Sequence, residues 1–181
     1  MQNEINKALE VLKNGGIILY PTDTIWGIGC DARNASAVER IFDIKKRAES
    51  KAMISLVCNT EMINEYTNSD QLQISLSDKP TSVIYQNVNS LANNLIAKDK
   101  TAAFRISKDK FCHRLVSEFG FPIVSTSANI SGKNLPKEFS EIHTEIKDNV
   151  DYVVNLRKKE IMDKVSEILL INKDGSIKKI R

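Results

Sequence analysis

Ile17-Ile18-Leu19-Tyr20-Pro21-Thr22-Asp23-Thr24-Ile25-Trp26-Gly27-Ile28-Gly29-Cys30 is the stretch on which the fold turns. Its first four residues form a short apolar run that stops at a proline, which predicts a buried strand. Two hydroxyls then flank one carboxylate, and two glycines permit close backbone approach. A helix follows: Ser36-Ala37-Val38-Glu39 reads as a capping box that opens a helix through about Arg47. In an open α/β sheet, the segment beyond a strand's C-terminal end is where ligands bind. Pro21–Cys30 is therefore the first candidate site, although a rigid strand-to-helix loop would look the same.

Working outward, residues 4–13 place Ile5, Ala8, Leu9 and Leu12 near one helical face, and Asn14-Gly15-Gly16 stops that helix. Met53–Val57, Thr81–Tyr85, Thr101–Ile106, Pro122–Thr126, Tyr152–Leu156, Val165–Asn172 and Ser176–Ile180 read as strands. Residues 60–78 read as helical turns and loops. Ser107 is placed to cap a helix carrying Phe111, Leu115, Val116 and Phe119, closed by Gly120. Pro136 suits the first turn of a helix carrying Phe139, Ile142 and Ile146. Lys173-Asp174-Gly175 is a hairpin turn. Strands alternate with helices early and crowd together late, which implies a mixed α/β sheet covered by helices.

The 181 residues fit one domain, and 27% charged residues with 41% hydrophobic ones are close to a globular average. Net charge is only +3; residues 157–181 carry eight basic and four acidic side chains, so the basic excess sits in the tail. Cys30, Cys58 and Cys112 are odd in number and widely spaced, as expected of reduced thiols in a cytoplasmic protein. No signal peptide or membrane span is legible. Phosphate-loop, dinucleotide, zinc and nucleophile-elbow motifs are absent, and no metal ligand set is assigned; His113 and His143 stand alone.

Three further segments carry chemistry. Lys45-Lys46-Arg47 with Lys51 could complement a helix dipole or clamp phosphates. Ser125-Thr126-Ser127-Ala128-Asn129, continuing to Gly132, gathers hydroxyls and a carboxamide at a strand end, either as a cradle for phosphate or ribose or as a polar turn. Arg105 is a charge near the end of an apolar strand and must find an anion, either an internal carboxylate or a ligand's.

In this order, GGIILYPTDTIWGIGCDARN, IKKR, TAAFRIS and STSANISG resemble the YrdC/TsaC family of threonylcarbamoyl-AMP synthases over residues 5–181. The resemblance implies a single YrdC-like domain over 1–181, with a twisted mixed sheet flanked by helices around a deep basic cavity. It implies formation of threonylcarbamoyl-AMP and pyrophosphate from L-threonine, bicarbonate and ATP, with Mg²⁺ accompanying ATP. Downstream proteins would pass the group to position 37 of tRNAs reading ANN codons. Thr24, Arg105, Ser125 and Ser166 match threonine-site positions. Lys45, Arg47, Lys51, Thr101, Ser127, Asn129 and Arg181 match nucleotide-site positions, with Lys45, Arg47, Ser127 and Asn129 as the catalytic set. The sequence departs from the family pattern at Trp26, Lys46, Ala48, Ala52, Leu135 and Glu167, where tyrosine, glycine, two prolines, a polar residue and threonine are usual. Asp23 could face a metal or water, or simply stabilise its loop. The rivals are a non-enzymatic RNA-binding module for tRNA, double-stranded RNA or rRNA, a related carbamoyl-adenylating enzyme, and a relative that kept the fold without the activity.

Overall fold

The computed structural model describes residues 1–46, 53–67 and 79–181. The first strand, β1 (Ile18–Tyr20), is fully buried, and α1 (Gln2–Lys13) packs beside it. The glycine-bearing half of the opening stretch is not loop: Gly27–Gly29 forms β2, antiparallel to β1. Three residues with two glycines give no alternation signal, so the strand was hidden. The reason for glycine is steric. A Cβ at Gly29 would overlap the Val124 carbonyl and come within 2.8 Å of the Tyr20 ring.

The elements continue as α2 (Ala35–Ile44), β3 (Ile54–Val57), α3 (Thr60–Tyr66), β4 (Thr81–Tyr85), β5 (Ala102–Ile106), α4 (Lys110–Phe119), β6 (Ile123–Ser127), α5 (Thr144–Asn149), β7 (Tyr152–Val153), β8 (Glu167–Ile171) and β9 (Ile177–Lys179). Among the described residues the strands form one nine-stranded mixed sheet in the order β7-β1-β2-β6-β3-β5-β4-β8-β9. Sequence neighbours β1–β2, β4–β5 and β8–β9 pair antiparallel, whereas β1–β7, β3–β5 and β4–β8 are parallel. The expected α/β class, with a large mixed sheet and flanking helices, is what the chain adopts.

Local capping differs from expectation at three places. Asn34, not Ser36, caps α2, its Oδ1 accepting from the Ala37 N–H at 3.1 Å. Asp109, not Ser107, caps α4; one carboxylate oxygen accepts from the N–H groups of both Phe111 and Cys112, which a single serine hydroxyl does less well. Gly120 closes α4 at φ +79°, as expected. The single helix expected after Pro136 is divided into a short 3₁₀ turn at Phe139–Glu141 and α5. Phe139 turns to stack on Trp26 at 5.0 Å, and His143 Nδ1 accepts from the Glu145 N–H to start a new helix.

Glu4 is a buried carboxylate that ties α1 to the segment following β7. It accepts from the Tyr152 hydroxyl and the Asn155 N–H, each at 2.6 Å. Burial pushes its carboxyl up, but these two bonds with Lys7 and the N-terminal ammonium bring it below the ordinary 4.5. A depressed native value stabilises the fold above the ordinary pKa, and that gain disappears as pH falls through the native value. Glu4→Gln is therefore expected to lower Tm by a few °C at pH 7, about 1–2 kcal/mol. The gap between variant and wild type should narrow in thermal melts taken near pH 3.

Candidate functional site

Sheet register gathers residues far apart in sequence onto one face. Ile54 of β3 sits opposite both Ser125 of β6 and Ala103 of β5. Ser127 sits opposite Gly27, Ala103 opposite Ile84, and Ser82 opposite Ile168. Because side chains alternate, Arg105 shares the face of Ala103 while Phe104 points the other way, onto Tyr66 and Tyr85. On that face lies a cavity of about 270 Å³. Its lining includes Thr24, Arg105, Ser125, Ser127, Ser166 and Arg181, six of the residues singled out from sequence. Lys164 adds a third cation, and no carboxylate lines it among the described residues.

The loop between β1 and β2 is organised around Thr22. Its Oγ1 accepts from the N–H groups of Thr24 and Ile25 and donates to the Ile25 carbonyl at 2.7 Å. Thr24 Oγ1 lies 2.9 Å from the same oxygen. Either hydroxyl can be the donor in this contact, and in both cases Thr24 Oγ1 keeps at least one lone pair for a hydrogen-bond donor in the cavity.

Arg105 is 4% exposed, and its nearest carboxylate is Asp23 at 3.3 Å. The contact balances charge without forming a hydrogen bond: Arg105 Nε and Asp23 Oδ1 both lack hydrogen-bond partners. The internal carboxylate left open by the sequence is thus Asp23, and it leaves the guanidinium incompletely used. A buried donor in that state favours a ligand anion.

Lys45, at the C-cap of α2, is fully buried rather than solvated. Its Nζ donates to the Ser127 carbonyl, to the Asn129 carbonyl at 2.8 Å and to Asn129 Oδ1 at 3.3 Å. Ser127 Oγ donates to the same Asn129 oxygen at 2.6 Å, and Asn129 Nδ2 donates to the Lys133 carbonyl. Lys45, Ser127 and Asn129 therefore form one bonded cluster, with Ser127 at the cavity wall. Thr101 is placed differently. It precedes β5, gives its hydroxyl to Asp99 at 2.7 Å and does not line the cavity. Arg47 and Lys51 lie outside the described residues, as do Ala48 and Ala52.

Ser166 Oγ accepts from Ser82 Oγ at 3.2 Å and from Arg181 Nη2 at 3.3 Å, while Arg181 Nε donates to the Ser166 carbonyl. Arg181 is thus anchored at the wall beside Ser166. Trp26 and Leu135 also line the cavity. Sequence reasoning missed Ser82 and Lys164. Ser82, a small polar residue inside an apolar strand, carried a weak signal, whereas Lys164 sits in irregular chain and carried none. The Cys30 and Cys112 thiols are buried and pushed up by desolvation, so they are unreactive at neutral pH. Among the described residues no group of three metal-ligating side chains occurs, and no helix is long and apolar enough to cross a membrane.

Comparison with known proteins places the chain among its relatives. The Sua5/yciO/yrdC family model, described as telomere recombination, matches residues 10–181. A curated relative from Pseudoalteromonas translucida, "Threonylcarbamoyl-AMP synthase", is 32% identical over 163 residues, 85% of this chain and 86% of its own. E. coli YciO superposes with TM-score 0.84 at 20% identity, covering all of this chain and 89% of that one. P. abyssi Sua5 complexed with L-threonine superposes with TM-score 0.85 at 18% identity, and this chain spans only 54% of its length. Match to the family model over nearly the whole length places this chain in the Sua5/YciO/YrdC family.

Proposed function

We propose that the protein is a threonylcarbamoyl-AMP synthase acting in tRNA modification, and that its reaction is a nucleotidyl transfer. The observation that carries this reading is a cavity lined by Arg105, Thr24 and Ser127, the last held from behind by Lys45 and Asn129, in a chain 32% identical to a relative bearing that name. An amino acid offers a carboxylate and a donor-rich ammonium. The former suits the under-used guanidinium of Arg105, the latter a free lone pair of Thr24, with Ser125 and Ser166 on the adjoining wall.

The chemistry needs no side-chain nucleophile. The threonine amine and bicarbonate condense to a carbamate with loss of water. A carbamate oxygen then bonds to the α-phosphorus of ATP while the bond to pyrophosphate breaks. Charge grows on the phosphoryl oxygens and the leaving group, so catalysis is positioning plus electrostatic stabilisation. Ser127 and Asn129, held by Lys45, would face the nucleotide with Arg181, while Arg47, Lys51 and Thr101 keep the phosphate-side roles that the resemblance implies. Mg²⁺ would arrive on the triphosphate, as the resemblance implies.

Pyrophosphate release is expected only when ATP, threonine and bicarbonate are all present. Arg47→Ala is expected to lower that rate about 10²- to 10³-fold with Tm unchanged. ATP turnover indifferent to threonine would overturn the reading, as would salt-sensitive RNA binding without turnover.

A further inference from the structure

Strand order gives residues 154–166 an unusual task. β7 is one edge of the sheet and β8 lies next to the opposite edge. The thirteen-residue connection between them must cross β1, β2, β6, β3, β5 and β4. Seven inter-strand steps amount to about 34 Å on a flat sheet, against about 46–50 Å for fully extended chain of that length. Little slack remains for secondary structure, and the segment is irregular throughout. It runs as a strap from one side of the sheet to the other, and Lys164, Val165 and Ser166 of it line the cavity.

The strap is pinned near its start by Arg157. Nη1 donates to the Thr22 carbonyl at 3.1 Å and to Asp109 Oδ2 at 2.8 Å. Nε and Nη2 grip Glu160 of the strap itself at 2.6 and 2.8 Å. One guanidinium thus joins the strap, the loop that presents Thr24, and the N-terminus of α4. Arg157 also holds φ +53°, left-handed backbone that a non-glycine residue keeps only where its surroundings fix it. The second pin is Met162, buried, with its N–H donating to the Lys137 carbonyl.

We propose that Arg157 is a positioning residue for the amino-acid substrate. By clamping the strap to the Thr22 carbonyl, it fixes the distance between the Thr24 side of the cavity and the Lys164–Ser166 side. It touches no substrate itself. The inference rests on the proposed synthase activity for its kinetic arm, and stands on the strap's mobility for its other arm.

Asp109 permits a clean test, because its two oxygens have separate duties: Oδ1 caps α4 and Oδ2 holds Arg157. Asp109→Asn keeps the capping oxygen and replaces the acceptor of Arg157 with an amide. Asp109→Asn and Arg157→Ala are each expected to raise KM for threonine about tenfold, with KM for ATP changed less than about twofold. The double variant should be no worse than Arg157→Ala, and Arg157→Lys should recover part of the loss. Without any substrate, trypsin should cut after Lys158, Lys159 and Lys164 about tenfold faster in Asp109→Asn than in wild type, at unchanged Tm. An inactive wild type with faster strap cleavage in the variant would sink the synthase reading and leave the clamp standing. Equal cleavage rates would overturn the clamp. Faster cleavage with threonine KM unchanged in an active enzyme, or threonine and ATP KM rising together, would overturn the positioning role.

Discussion

Arg105→Ala raises KM for threonine about 10²-fold or more and changes KM for ATP by less than about threefold. The magnitude follows from the setting. Truncating one member of a buried charge pair costs about 2–5 kcal/mol in binding, and a factor of ten corresponds to about 1.4 kcal/mol. Arg105 is 4% exposed, so water cannot replace the lost donor. The fold should survive, because the internal pairing being removed is poor: Asp23 stands at 3.3 Å without a hydrogen bond. A well-bonded buried pair would behave oppositely and unfold when broken. The same contrast appears without turnover. Threonine at about 100 times its Kd should raise the wild-type Tm by about 5–10 °C, by mass action, and leave the variant's Tm where it was. If the threonine-induced shift persists in Arg105→Ala, or if both KM values climb together, Arg105 is holding the sheet and not the substrate.

That Arg105 could be singled out from sequence illustrates what kind of information the chain displays. A charge inside TAAFRIS violates the local pattern, and violations are visible one residue at a time. Thr24 and Ser125–Asn129 are also legible, because each follows an apolar run that ends abruptly. The convergence of these segments is a property of register instead. Ile54 opposite both Ser125 and Ala103 is decided by which strands pair, and no residue states that by itself. β2 escaped for a related reason: Gly29 is required by the Val124 carbonyl, a contact 95 positions away. Arg157 and Lys164 read as members of a basic tail, and only the placement of β7 at one edge of the sheet and β8 next to the other turns the start of that tail into a strap beside the cavity. That the Thr101 hydroxyl donates to Asp99 is likewise a contact that motif order does not display.

Lys45→Met has the second large effect, and its sign separates two roles. Methionine fills most of the aliphatic volume and removes the ammonium. In the free protein that ammonium holds the Ser127 and Asn129 carbonyls and Asn129 Oδ1 together. Leaving such acceptors without a donor costs about 1–3 kcal/mol each, so a loss of about 3 kcal/mol and a Tm lower by about 6–12 °C are expected before any nucleotide is added. A lysine kept only to meet phosphates would do the reverse. Removing a buried cation that waits for a ligand relieves its desolvation, and the free protein would become as stable as wild type or more so. Activity should fall in both cases, about 10²-fold, because Ser127 stands at the cavity wall and loses its anchor. Stability of the nucleotide-free protein therefore decides the matter. A fall in Tm makes Lys45 the brace of the Ser127–Asn129 loop, acting on the nucleotide through it; an unchanged or higher Tm with activity lost would make it a direct phosphate ligand and would overturn the brace.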